Sequence, residues 1–314
     1  MKNIFSTIFL CVIYAFCFAQ KTNSYYRSIE YFDKTDSSKN YAIFFRPNGP
    51  AQKLLLLIPE FGESPQLAEI ETDIPEVAAA NGILTVIISN NEGNLSFQLD
   101  GNAQQYLDSI IPLLLFRNNI PNGAYYIGGF SFGGAAAIKY VQHCAIYDIP
   151  YKPKAIFTID PPLDFVRLYK AYDNWVKDTA KYAANKTFYK LLLSKMQTYF
   201  KGDINDVLEN YIRLSPYCYD DKNKYGVRLF GTTPILTFCE PDFLWAIYEK
   251  HWNAYDLNII DIVGFYNDLN NNGNKDAKLI LTQNKGFRKV LKYKHPHSWS
   301  IANPNETVKW LLKH

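Results

Sequence analysis

The sequence predicts an α/β fold: a mainly parallel sheet flanked by helices and carrying a helical cap insertion. Three observations lead there. Short, continuous apolar runs alternate with segments of helical period. One of those runs, Ala124–Ile127, feeds into Gly128-Gly129-Phe130-Ser131-Phe132-Gly133-Gly134 and then a small-residue helix, Ala135–Cys144. From Leu163 to about Tyr217 strand candidates stop, and apolar residues recur at helical spacing instead.

Taken in order, Met1-Lys2-Asn3 is a short basic stretch, and Ile4–Phe18 is an apolar run. At about 15 residues it falls short of the ~20 that span a bilayer. Cys17 and Ala19 supply small residues at −3 and −1, the pattern of a signal peptide cleaved after Ala19. A secreted or periplasmic protein without stable membrane insertion is therefore expected. Residues 20–162 read as the first part of the core, 163–230 as the cap and 231–314 as the second part.

Ser28–Tyr31 and Tyr41–Phe45 look like short strands joined by a polar turn at Asp36-Ser37-Ser38. Lys53–Ile58 and Ile83–Ile88 are runs expected of strands buried on both faces. Leu67–Asn81, between them, reads as one helix stopped by Asn81-Gly82. Ala103–Phe116 is a helix interrupted or offset at Pro112, and Lys154–Ile159 is the strand before the insertion. After the insertion, Pro234–Cys239 resumes the sheet and Phe243–Trp252 is a helix. Asn267–Asn274 is an Asn/Gly-rich loop and Ala277–Thr282 the last strand. Glu306–Leu312 is a closing helix introduced by Asn303-Pro304.

Composition narrows the function. The net charge of +3 is small, and lysines are interleaved with acids and tyrosines rather than gathered in a stripe, so nucleic acid is not expected as a partner. Cys144, Cys218 and Cys239, left after the leader, are not a disulfide scaffold, and no Cys/His spacing suggests zinc. Asp268–Asn274 resembles the start of a calcium loop, but Leu279 stands at the twelfth position, where that loop needs glutamate. No metal or cofactor is expected, and the oligomeric state stays open. Asn94-Leu95-Ser96, Asn185-Lys186-Thr187 and Asn305-Glu306-Thr307 fit the glycosylation pattern, which matters only in a eukaryotic secretory pathway. With 24 Tyr and 21 Phe, the chain has aromatic side chains enough for a core and for lining a cleft.

Strand, Gly-x-Ser-x-Gly, helix is the pattern of a nucleophile held on a sharp turn. Gly129 and Gly133 flank Ser131 where Cβ atoms would collide, and the following helix aims its N–H groups back at the turn. A serine hydroxyl needs a histidine base to attack at neutral pH. His143 is about three turns down the same helix, His251 sits at a helix end and His314 is the terminal residue. His295 and His297 remain, in the loop after the last strand, and His297 is preferred.

In this order of parts the chain resembles an α/β-hydrolase-fold serine hydrolase. The resemblance implies the order Ser, acid, His. It places the acid a few residues past Pro234–Cys239, where Asp242 fits best; Glu240 and Asp160 stay open as alternatives. It implies an oxyanion hole from the N–H groups of Phe132 and Phe61, the latter in Pro59-Glu60-Phe61-Gly62, where Pro59-Glu60 replaces the family's usual His-Gly. Glu60 is expected either to be solvated or to grip a positive group on the substrate. The implied activity is hydrolysis of a small-molecule carboxylic ester. The alternatives are a peptidase acting at peptide N-termini and an inactive hydrolase fold used for binding.

Overall fold

A computed structural model describes residues 24–32, 39–178 and 183–314. The leader and the Asp36–Ser38 turn lie outside the described residues. Eight strands form the main sheet: β1 (Tyr25–Tyr31), β2 (Tyr41–Pro47), β3 (Lys53–Ile58), β4 (Ile83–Ile88), β5 (Tyr125–Phe130), β6 (Ala155–Ile159), β7 (Ile235–Cys239) and β8 (Ala277–Leu281). Their order is β1-β2-β4-β3-β5-β6-β7-β8; the β1–β2 and β2–β4 pairs are antiparallel and the other pairs are parallel. The central strands are buried along nearly their whole length, which is why they read as unbroken apolar runs. A short hairpin, β9 (Phe287–Arg288) and β10 (Tyr293–Lys294), follows the sheet.

The core helices are α1 (Pro65–Glu71), α2 (Ile74–Ala80), α3 (Gly101–Arg117) and α4 (Phe132–Ile146). Between β6 and β7 lie α5 (Phe165–Lys177), α6 (Ala183–Phe200), α7 (Ile204–Leu214) and α8 (Tyr225–Phe230). They are followed by α9 (Phe243–Trp245), α10 (Ile259–Asn271) and α11 (Pro304–Leu311). Among the described residues no helix is long and apolar enough to cross a membrane.

Three local expectations are corrected. The helix expected over Leu67–Asn81 is two helices. Thr72 is extended between them, and Pro75 in the first turn of α2 cannot continue a preceding helix. The helix expected over Phe243–Trp252 is only α9 and one π turn, Ala246–Lys250, closed by His251 in the left-handed region at φ 57°. The Asn/Gly-rich stretch from Asn267 is not a loop from its start. α10 runs through Asn271 because Ile262, Phe265, Tyr266 and Leu269, spaced three and four apart, are buried on its inner face.

The core lies on both faces of the sheet, and the insertion is packed into it. Phe97 stacks on Phe61 with ring centroids 5.2 Å apart and touches Phe132 at 5.0 Å; Phe165 and Phe200 of the insertion close the cluster. Arg167 of α5 pairs with the fully buried Asp261 of α10 at 2.7 Å. The same Asp261 Oδ2 accepts the N–H groups of Leu163 and Asp164, both at 3.1 Å, so one carboxylate fastens the start of the insertion to the core. Removing one partner of such a buried pair costs about 3–5 kcal/mol, because the other charge is stranded.

Candidate active site

Ser131 stands between β5 and α4 with φ 53° and ψ −122°, a conformation rare for a residue with a side chain. Its N–H is held by Ile159 O at 2.8 Å. The turn closes because its neighbours are glycines. A Cβ on Gly129 would lie 2.3 Å from the Gly133 backbone, and one on Gly133 would lie 2.1 Å from Ile58 O.

His297 reaches this serine from the loop after the hairpin. Its Nε2 is 2.9 Å from Ser131 Oγ, and its Nδ1 is 2.6 Å from Asp160 Oδ2. With Nδ1–H donated to the carboxylate, Nε2 is the acceptor facing the serine hydroxyl. In this arrangement the ring can take the Ser131 proton as the oxygen attacks.

The structure therefore brings Asp160, not Asp242, to the histidine. Asp160 ends β6 with φ 44°, its N–H on Phe238 O at 2.8 Å and its carbonyl accepting from Asn258 Nδ2 at 2.9 Å. The Cys239 thiol donates to its second carboxylate oxygen at 3.0 Å. Burial, then the Asp160 charge, push that thiol well above its ordinary range, so it stays a donor.

Asp242 does other work. It caps α9 by accepting from Trp245 N at 2.9 Å and binds Lys294 Nζ at 2.6 Å. Burial opposes its ionisation, but these hydrogen bonds and the Lys294 charge prevail and hold its carboxyl below the ordinary value. Glu240 is buried and accepts from Thr282 Oγ1, Lys285 N and Gly286 N at 3.1, 2.8 and 3.1 Å, pinning the start of the hairpin. His295 packs against Trp245, ring centroids 4.7 Å apart. Burial, with His297 and Arg288 nearby, pushes its pKa down to about 3, so it is a neutral ring beside the site.

The Phe61 and Phe132 N–H groups have no acceptor among the described residues. Their rings lie 5.8 Å apart, with Phe97 against both. Glu60 is only partly exposed and already has a cation of this chain as its partner. It binds Arg288 Nη1 at 2.6 Å, and its other oxygen is 3.7 Å from His297 Nε2. Arg288 in turn donates from Nε to His297 O at 3.1 Å. Glu63 is buried between the two loops, accepting from Trp299 Nε1 at 3.0 Å and Glu60 N at 3.2 Å. Arg288 and Trp299 had no sequence signal as site residues; their partners Glu60 and Glu63 lie more than 200 positions away.

Ser131 and His297 open into a cavity of about 380 Å³. The insertion contributes Leu168, Tyr172, Phe188, Tyr189 and Leu192 to its wall, and Trp245 and Trp252 line it as well. Among the described residues no group of three or more His, Cys, Asp or Glu side chains is gathered to hold a metal ion.

The sequence matches no family model and no curated protein. Solved structures do match. An acylaminoacyl peptidase of Pyrococcus horikoshii superposes with a TM-score of 0.56 at 14% identity, covering 92% of this chain and 40% of that one. A fungal esterase from Rhizomucor miehei gives 0.55 at 15% identity, covering 92% and 83%. FphF, a fluorophosphonate-binding serine hydrolase of Staphylococcus aureus, gives 0.52 at 10%, covering 92% and 98%. This chain thus spans about two fifths of the peptidase's length. The fold these structures share with the chain is the α/β-hydrolase fold.

Glu63 yields a pH test. Burial first, then the Glu60 charge, push its carboxyl up from 4.5 to about 8. The folded state thus holds a proton that the unfolded chain releases, and the wild type loses stability as pH rises through that window. Glu63→Gln cannot ionise. Its stability relative to wild type is expected to rise between pH 5 and pH 8, by on the order of a few kcal/mol. Urea denaturation at several pH values checks this; a difference flat with pH contradicts it.

Proposed function

We propose that the chain is a serine hydrolase cleaving carboxylic esters through an acyl-enzyme on Ser131. One observation carries the reading: an unbroken run of hydrogen bonds from Asp160 through His297 to Ser131, ending in a cavity beside two N–H groups without acceptors. Ser131 Oγ attacks the ester carbonyl while His297 Nε2 takes its proton. The Phe61 and Phe132 N–H groups receive the negative charge that forms on the carbonyl oxygen. Nε2 then gives the proton to the leaving alcohol, and water, deprotonated by the same nitrogen, releases the acid. Asp160 keeps the proton on Nδ1 and stabilises the imidazolium. An inactive binding fold would have no need of this run.

The peptidase reading is the alternative, and the P. horikoshii likeness keeps it in view. A free peptide N-terminus needs an unpaired carboxylate at the mouth. Glu60 is paired with Arg288 and Asp242 with Lys294, which favours the ester. The leader-like Met1–Ala19 supports secretion or export to a periplasm. The cap, through Tyr172, Phe188 and Tyr189, is the part of the wall that selects the acyl or leaving group.

Two measurements test this. Ser131→Ala is expected to lower turnover of an aryl ester by about 10⁴-fold or more; comparable turnover in the variant removes the proposal. Tyr189→Ala is expected to raise KM by roughly tenfold while the fluorophosphonate labelling rate of Ser131 stays near wild type. An unchanged substrate profile with lowered stability would make the cap structural only.

A further inference from the structure

Cys239 ends β7 beside the carboxylate that meets His297. β6 and β7 pair in parallel with Thr158 opposite Thr237 and Ile159 opposite Phe238, so Asp160 and Cys239 are the next residues along the two strands. Thr237, two residues back and so on the same face of β7 as Cys239, joins its hydroxyl to that of Thr158 at 2.6 Å. The next contact in this row pairs a thiol with a carboxylate: Cys239 Sγ lies 3.0 Å from Asp160 Oδ1. Cys239 is 2% exposed and Asp160 9%.

The two oxygens of Asp160 are thus held by different groups. Oδ2 takes the Nδ1–H of His297 at 2.6 Å, and among the described residues the thiol is the one hydrogen-bond partner of Oδ1. The charged and titratable groups around the pair supply no other donor to it. Glu60 Oε2 stands 3.7 Å from His297 Nε2, and its Oε1 is bound to Arg288. Arg288 Nε donates to the His297 carbonyl. Glu240 is turned to Thr282 Oγ1 and to the N–H groups of Lys285 and Gly286. The His295 ring, neutral, is 6.3 Å from that of His297 between centroids. A thiol is a weak donor, yet a carboxylate oxygen this far from solvent gains from any donor it has. Alanine or glycine at the end of β7 would leave Oδ1 with no donor from the protein.

We propose that Cys239 is a positioning residue for the base: its S–H group holds the Asp160 carboxylate with Oδ2 turned to His297 and draws charge from it, which sets how firmly the imidazole keeps a proton. The inference rests on the reading of Ser131, His297 and Asp160 as one catalytic unit. A hydrogen bond to the charged form lowers a carboxylate's affinity for protons. Asp160 and His297 titrate as a couple, so removal of the thiol makes the couple hold its proton to higher pH. A loss of packing alone lowers kcat/KM at every pH alike and leaves the acid limb of the pH profile where it was.

Cys239→Ala and Cys239→Val both remove the donor, the second while filling more of the space, and Cys239→Ser keeps one. The acid limb of kcat/KM for p-nitrophenyl acetate is expected to move up by at least about 0.5 pH unit in Ala and Val, and to stay at or below the wild-type position in Ser. NMR titration of the His297 ring, its signals assigned by their loss in His297→Gln, is expected to shift the same way. A smaller or opposite ring shift in either folded donor-free variant overturns the proposal, as does an upward shift in Ser. The ring titration needs no turnover, so it decides the role of Cys239 even if Ser131→Ala keeps its activity and the esterase reading falls. A ring that shifts while the acid limb stays counts against that reading and leaves the thiol's hold on Asp160 standing. Two donor-free variants are used so that a folding failure in one leaves the other to decide.

Discussion

The site depends on the 2.6 Å hydrogen bond between His297 Nδ1 and Asp160. It joins a strand end to a loop, and the two ends are held by different means. Asp160 is fixed by the sheet. Its N–H extends the β6–β7 ladder to Phe238 O, while the left-handed backbone turns its side chain away from the strand line. His297 has no sheet to hold it. Its loop is instead pinned by acidic side chains on other elements: Glu240 takes the N–H groups of Lys285 and Gly286, Glu71 those of Lys289 and Val290, and Glu63 the Trp299 indole. A carboxylate accepting backbone N–H groups makes a charge-assisted bond, stronger than a neutral one. This gives an irregular segment the definition that the proposed base needs.

Arg288 and Glu60 join the two loops whose relative position matters most. Glu60 precedes Phe61, and Arg288 holds the carbonyl of His297 itself. A charge close to a developing oxyanion is unfavourable when alone. Paired at 2.6 Å with a guanidinium, it acts as a clamp between the loop carrying Phe61 and the loop carrying His297. The aromatic cluster of Phe61, Phe97 and Phe132 fixes the same region from beneath without further charge.

Much of this was legible in the sequence where the signal is local. Buried parallel strands leave continuous apolar runs, the elbow leaves glycines two residues either side of Ser131, and elimination narrowed the histidines to His295 and the preferred His297. The acid was not legible, because the choice between Asp160 and Asp242 is made by packing across β6 and β7. Both follow strands that end at the same edge of the sheet, and only the capture of Asp242 by Lys294 and Trp245 N–H separates them. The Arg288–Glu60 and Trp299–Glu63 contacts are likewise products of the folded chain. At α10, composition misled: asparagines and a glycine read as a loop, while the spacing of Ile262, Phe265, Tyr266 and Leu269 carried the helix past them.

The most direct measurement compares kcat/KM for p-nitrophenyl acetate in Asp160→Asn and Asp242→Asn. If Asp160 orients the base, Asp160→Asn lowers kcat/KM by about 10³–10⁴-fold, while Asp242→Asn stays within about tenfold of wild type. A large loss in Asp242→Asn with near-normal activity in Asp160→Asn would contradict the geometry on which the proposed mechanism rests.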